Sequence, residues 1–187
     1  STSQQARLKR LINWIKENYC TATGSTYSAV FGSDLNNKQA LANFSSLVTN
    51  YSLFSKSSLV VIYDIEQIKA ANHNQFIEAL NNHNSCNLII ICAQAEINKT
   101  SIVNKFIDIC SIVNLPELKG AALSRWVEKE FLKQNATAKI DSGVIDYLVS
   151  NLGSDINQLI KEIEKKHIIV KGFEEFYEKS GFFDKFA

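Results

Sequence analysis

Apolar residues recur along this chain at two periods, and the point where one gives way to the other divides it. From Gln4 to Tyr19, Leu8, Leu11, Ile12 and Ile15 return every three or four residues among Arg7, Lys9, Arg10 and Lys16, predicting an amphipathic helix. Gly24 interrupts it, and Thr26 to Phe31 is a short β-prone run. Asp34 or Asn36 is expected to cap a helix carrying Leu41, Phe44, Leu47 and Val48 on one face. Leu59 to Tyr63 and Asn87 to Ala93 are continuous apolar runs rich in β-branched residues, the pattern of strands buried on both faces. Between them, Phe76, Ile77 and Leu80 mark a helix from Asn72 to His83. A short helix over Ile102–Ile107 and a third strand, Cys110–Leu115, complete this half.

Strands alternating with helices predict an α/β domain with a parallel sheet, helices on both faces and right-handed crossovers. The lone proline, Pro116, and then Gly120 punctuate the chain, and only the helical period follows. Ala121–Gln134 carries Leu123, Trp126, Val127, Phe131 and Leu132, and Asp141 is expected to cap a helix with Val144, Ile145, Leu148 and Val149. Gly153 stops that helix, and Ser154 or Asp155 starts another with Ile156, Leu159, Ile160 and Ile163 inward. The division expected is an α/β domain over 1–116, a three-helix module over 117–170 and an aromatic-rich tail over 171–187.

One segment breaks both periods. In Tyr51-Ser52-Leu53-Phe54, two large apolar residues stand side by side in a polar stretch, and neither a helix nor a strand turns both inward. This marks a docking element, with a plug under the sheet edge as the alternative.

Composition narrows the chemistry. With 45% hydrophobic and 21% charged residues and a formal charge of +1, the chain reads as an ordinary globular protein, without the global charge of a polybasic nucleic-acid binder. Arg125, Lys129, Lys133, Lys139, Lys161, Lys165 and Lys166 read as solvated helix faces. No apolar run reaches the roughly 18–20 residues of a membrane span, and no signal peptide is visible, so a soluble, cytoplasmic protein is expected. Cys20, Cys86, Cys92 and Cys110 form no CxxC pair, and His73, His83 and His167 are dispersed, so no zinc site or other cofactor is expected. Cys92 and Cys110 are expected to act as small buried hydrophobes. The chain begins at Ser1 and contains no methionine, as a fragment would.

Taken in order, these features resemble a known family. Ser52-Leu53-Phe54 before Leu59-Val60-Val61-Ile62, then Leu88–Ile91, resembles the first domain of the delta subunits of bacterial DNA polymerase III clamp loaders. Leu123-x-x-Trp126-Val127, Ile140 and Leu152-Gly153-Ser154-Asp155-Ile156-x-x-Leu159-x-x-Glu162-Ile163-x-Lys165 resemble that family's lid domain. The resemblance spans residues 4–166. It implies an AAA+-like fold and a non-catalytic subunit that binds and helps open the sliding clamp (beta) during DNA replication. Leu53 and Phe54 would be the clamp-binding pair, flanked by Ser52 and Tyr51, with Thr49 where clamp-binding peptides often carry Gln. Implied partners are the gamma/tau and delta prime subunits, with primer–template DNA contacted indirectly, within a holoenzyme of DNA-directed DNA polymerase activity. The family's first strand and degenerate phosphate loop would precede Ser1, and its collar domain would follow residue 187; the tail Lys171–Ala187 matches nothing in it and is expected to pack on the lid.

ATP hydrolysis on such a fold needs a phosphate loop, a metal-binding Asp, a water-orienting carboxylate and an Arg at the γ-phosphate. No G-x-x-x-x-G-K-[ST] occurs, and Lys99-Thr100 lacks the glycines. Asp64 ends its strand as a metal-binding Asp would, but Ile65 stands where the catalytic Glu belongs, with Glu66 one residue late. Ala93 and Gln94 occupy the sensor position, and Ile156, Asn157 and Gln158 follow the Gly153-Ser154-Asp155 turn where an Arg would sit. Asp64 is therefore read as a strand-end or cap residue. Two alternatives stand beside the clamp-loader reading: an AAA+ ATPase whose phosphate loop lies upstream, and a stand-alone delta-like adaptor.

Overall fold

The computed structural model describes residues 2–50, 57–94, 102–106, 110–134 and 140–165. Two compact units emerge: Leu11–Val113 is one, and Ser1–Arg10 with Asn114–Ala187 the other. The opening helix α1 (Thr2–Ile15) widens into a π-turn over Lys16–Cys20 and closes at Gly24, which takes the left-handed conformation.

In the first unit, β1 (Thr26–Phe31), β2 (Ser58–Tyr63) and β3 (Leu88–Ile91) form a parallel sheet in the order β1-β2-β3. Tyr27 stands opposite Leu59 and Phe31 opposite Tyr63; Leu59 and Ile62 in turn face Leu88 and Ile91. The crossovers carry α2 (Lys38–Thr49) and α3 (His73–Asn81). Two right-handed crossovers stepping the same way across a sheet place their helices on the same face. Accordingly Leu41, Phe44 and Val48 of α2 and Phe76, Ala79 and Leu80 of α3 form one core with Val60 and Ile62, the alternate residues of β2. Phe76 anchors it, stacked on Phe44 at 5.2 Å between ring centroids and edge-on to Phe106 at 6.0 Å. Leu59 and Val61, on the opposite face, are equally inaccessible. The Lys16–Cys20 turn lies against β1 and β2, with the Lys16 ammonium 4.4 Å over the Tyr27 ring.

Tertiary pairing corrects several local expectations. The cap of α2 is Asn37, whose side chain accepts the Gln39 and Ala40 N–H groups; Asp34 instead heads a short 3-10 turn. The four residues of β3 are half-buried, because β3 ends the three-strand sheet while β2 has a neighbour on each side. Cys110–Leu115 is not a strand. A β-prone run becomes one only where a sheet edge completes its hydrogen bonds, and among the described residues none pairs with this segment. Ile112 and Val113 stand 55% and 73% exposed, and Cys110 is exposed rather than packed as a small hydrophobe.

In the second unit, α4 (Gly120–Gln134), α5 (Ser142–Leu152) and a further helix over 156–165 share a core of Leu123, Val127, Phe131, Ile145, Leu148, Ile156, Leu159 and Ile163. Asp141 accepts the Gly143 N–H, and Asp155 those of Asn157 and Gln158, so both helices begin on a carboxylate cap. Gly153, at φ +56° and ψ −138°, makes a turn that other residues reach only with strain. The first residues of α1 belong to this unit as well: Ala6 joins its core, and Gln4 and Arg7 donate to the carbonyls of Leu115 and Pro116 at 3.1 and 2.5 Å.

Candidate functional sites at the two ends of the sheet

Parallel strands give a sheet two unlike ends, and ligand chemistry on such folds gathers where the strands' carboxyl ends emerge. Here that end holds Phe31, Gly32, Asp64, Glu66, Cys92 and Gln94. The ladder continues past the strands: Gly32 N–H donates to Tyr63 O at 2.8 Å, Cys92 N–H to Ile62 O at 2.7 Å, and Ile65 N–H to Cys92 O at 3.3 Å. To meet these bonds the chain turns sharply at Asp64, which takes the left-handed conformation at φ 51° and ψ 49°. Gly32 lies so close that a Cβ there would stand 2.2 Å from Asp64 O.

The carboxylates at this end are engaged. Gln94 donates its side-chain N–H to Asp64 Oδ1 at 2.6 Å and its backbone N–H to Glu66 Oε1 at 3.3 Å. Asp64 heads the 3-10 turn Ile65–Gln67 by position, but its side chain makes no capping bond and serves Gln94 instead. Ile65, the next residue, is fully buried in the core. Burial, then the charges of Asp64 and Glu66, push the Cys92 thiol from its ordinary 9.0 up to about 11. Burial, then a hydrogen bond with Tyr27, raises the Tyr63 phenol, and the Tyr63 ring stacks on Phe31 at 5.5 Å. The loops beyond are tied by amides: Asn36 donates to Gln67 O and accepts from Lys69 N, and Asn72 donates to Leu35 O. Among the described residues no group of three or more His, Cys, Asp or Glu side chains is placed to hold a metal ion.

The amino end frames the other candidate. Tyr51, Ser52, Leu53 and Phe54 themselves lie outside the described residues, but the chain is fixed on either side of them. On the α2 side, Asn50 N–H donates to Ser46 O at 3.1 Å and the Thr49 hydroxyl to Ser45 O at 2.8 Å. Thr49 thus completes its own helix end. Val48 O accepts from Asn84 N–H at 2.9 Å and from the Asn87 side chain at 3.1 Å. On the β2 side, Ser58 N–H donates to Asn87 Oδ1 at 2.9 Å, while Ser57 bonds Ser25, which also bonds Thr23. One amide, Asn87, therefore couples the end of α2 to the start of β2 and sets where the intervening segment leaves and returns.

Asp64, Glu66 and Gln94, all singled out by the sequence pattern, are brought together by the fold. Gly32 and Asn84 carry no signal in the sequence pattern, and Asn36, Asn72 and Asn87 enter it as a cap candidate or as element ends, not as the amides that tie the loops. Of the histidines, His73 bonds Ile68 O and His83 bonds Leu80 O, each next to its own helix; His167 lies outside the described residues. No protein-family model matches the chain, and no curated protein matches it.

Proposed function

We propose that this chain is a non-catalytic, delta-like subunit of a bacterial replicative clamp loader, an AAA+-like domain followed by a helical lid, which docks the sliding clamp through Leu53 and Phe54. The observation that carries this reading is the contrast between the two ends of the sheet. At the carboxyl end, Gln94 holds the carboxylates and Ile65 is buried where ATP chemistry would need a charge. At the amino end, Asn84 and Asn87 brace both anchors of the segment that carries the paired apolar side chains. A braced frame reduces the ordering cost of docking, which otherwise subtracts from affinity.

In this mechanism two side chains fill a pocket on the clamp and lose their water, each worth about 1.5–3 kcal/mol. Such central anchors dominate an interface. Ring opening then requires only that the subunit bind the open clamp more tightly than the closed one, since a ligand shifts an equilibrium by its differential affinity. ATP would be hydrolysed by the gamma/tau partners, not by this chain.

Calorimetric titration of the chain against the sliding clamp of its own organism tests the reading, alongside a Leu53→Ala/Phe54→Ala double variant. Binding that weakens by about 3 kcal/mol, roughly 150-fold, in the double variant is the expected outcome. Absence of binding by the intact chain at high micromolar concentration overturns it.

A further inference from the structure

The most heavily buried charge among the described residues is Glu130, 4% exposed on the inner side of α4. A buried carboxylate is tolerated only when cations and hydrogen bonds replace its water. Its partners are Lys133, 3.2 Å away on the same helix and itself largely exposed, and Arg10, which arrives from the start of the chain. Lys133 spends most of its length in solvent, so the closer compensation falls to Arg10. Residues 2–10 otherwise hold to this unit mainly through polar bonds: Gln4 to Leu115 O, Arg7 to Pro116 O. Their contribution to the apolar cluster is Ala6, whereas the helices beneath are joined by Leu123, Val127, Phe131, Ile145, Leu148, Ile156, Leu159 and Ile163.

We propose that residues 2–10 are an ionic strap on the helical unit, held by Arg10 on buried Glu130 and able to detach while the helices beneath stay folded. Its seat has an acidic centre and two carbonyl acceptors, chemistry that suits a basic helical segment, and the segment it holds is this chain's own. Detachment leaves Glu130 beside Lys133 alone. Removing the cation therefore disturbs the strap more than removing both charges together.

Amide hydrogen exchange on the whole chain tests this with Arg10→Met, Glu130→Gln and the double variant. The expected result is exchange about tenfold faster over residues 2–10 in Arg10→Met, with α4 and the 156–165 helix still protected, as for a sub-global opening. The double variant should recover part of that loss. Raising salt from about 0.05 M to about 1 M should loosen the same residues in the unaltered chain, because Arg10 is partly exposed and screened. The proposal is overturned if Arg10→Met leaves residues 2–10 as protected as before. It is equally overturned if exchange rises to the same extent through α4, or if salt has no effect on the strap.

Discussion

Replacing Gly32 by alanine isolates the contact that shapes the carboxyl end of the sheet. The added Cβ would stand 2.2 Å from Asp64 O, 3.0 Å from its carbonyl carbon and 3.4 Å from Ile65 Cα. All three are backbone atoms, so no side chain can swing aside. Reaching even 3.0 Å from that oxygen requires β1 and the end of β2 to part by about 0.8 Å. Asp64 has little room to yield, since its left-handed conformation already costs on the order of 1–2 kcal/mol and it is fixed between the Gly32 and Ile65 bonds. Overpacking of this kind costs about 1–3 kcal/mol, and straining the 2.8 Å bond from Gly32 N–H adds about 1 kcal/mol. A loss of about 2–4 kcal/mol follows. At a urea dependence of about 2 kcal/mol per molar, the midpoint should fall by roughly 1–2 M. The control is Gly24→Ala: Gly24 has φ +67° and nothing within 4 Å of a new Cβ, so it bears only the backbone strain of about 1–2 kcal/mol. Urea unfolding followed by circular dichroism, with amide exchange over β1 and β2 to locate the damage, compares the two. If Gly32→Ala proves no more costly than Gly24→Ala, the close approach to Asp64 is not what holds this end together.

Phe76→Ala empties the centre of the α/β core between Phe44 and Phe106 and should cost about 3–5 kcal/mol, read as a lost or strongly lowered urea transition; a loss below about 1 kcal/mol would contradict the packing described. Cys92, with its thiol raised from 9.0 to about 11, stays protonated in the folded chain after the unfolded chain has begun to ionise. Its contribution is fully present below pH 9 and is lost as pH rises from 9 to 11. Stability measured across that window should decline in the native chain and decline less in Cys92→Ala, and alkylation at pH 8 should mark Cys86 and Cys110 well before Cys92.

Local pattern was enough to place most elements, because a helix or buried strand records in its spacing which side meets the core. The Leu59–Ile62 run announced β2, and Phe44, Phe76 and Val127 announced the faces that pack inward. The cap of α5 was equally readable, since Asp141 precedes an apolar period by a fixed offset and makes its bond within one turn. Asn37 is not singled out by the local pattern, because Asp34, Asn36 and Asn37, with only Leu35 among them, all offer cap-forming side chains within four positions. Cys110–Leu115 has a strand's composition but no paired edge among the described residues, and composition cannot supply one. The lower burial of β3 relative to β2 is likewise a matter of position in the sheet, invisible in two runs of the same residue types. Gly32 owes its identity to Asp64, 32 positions later, and Glu130 owes its tolerance to Arg10, 120 positions earlier. The sequence alone determined the periods, hence the elements and their inward faces. Only the tertiary structure decided which distant residues meet, because backbone approach and charge compensation depend on neighbours in space and leave no period in the chain.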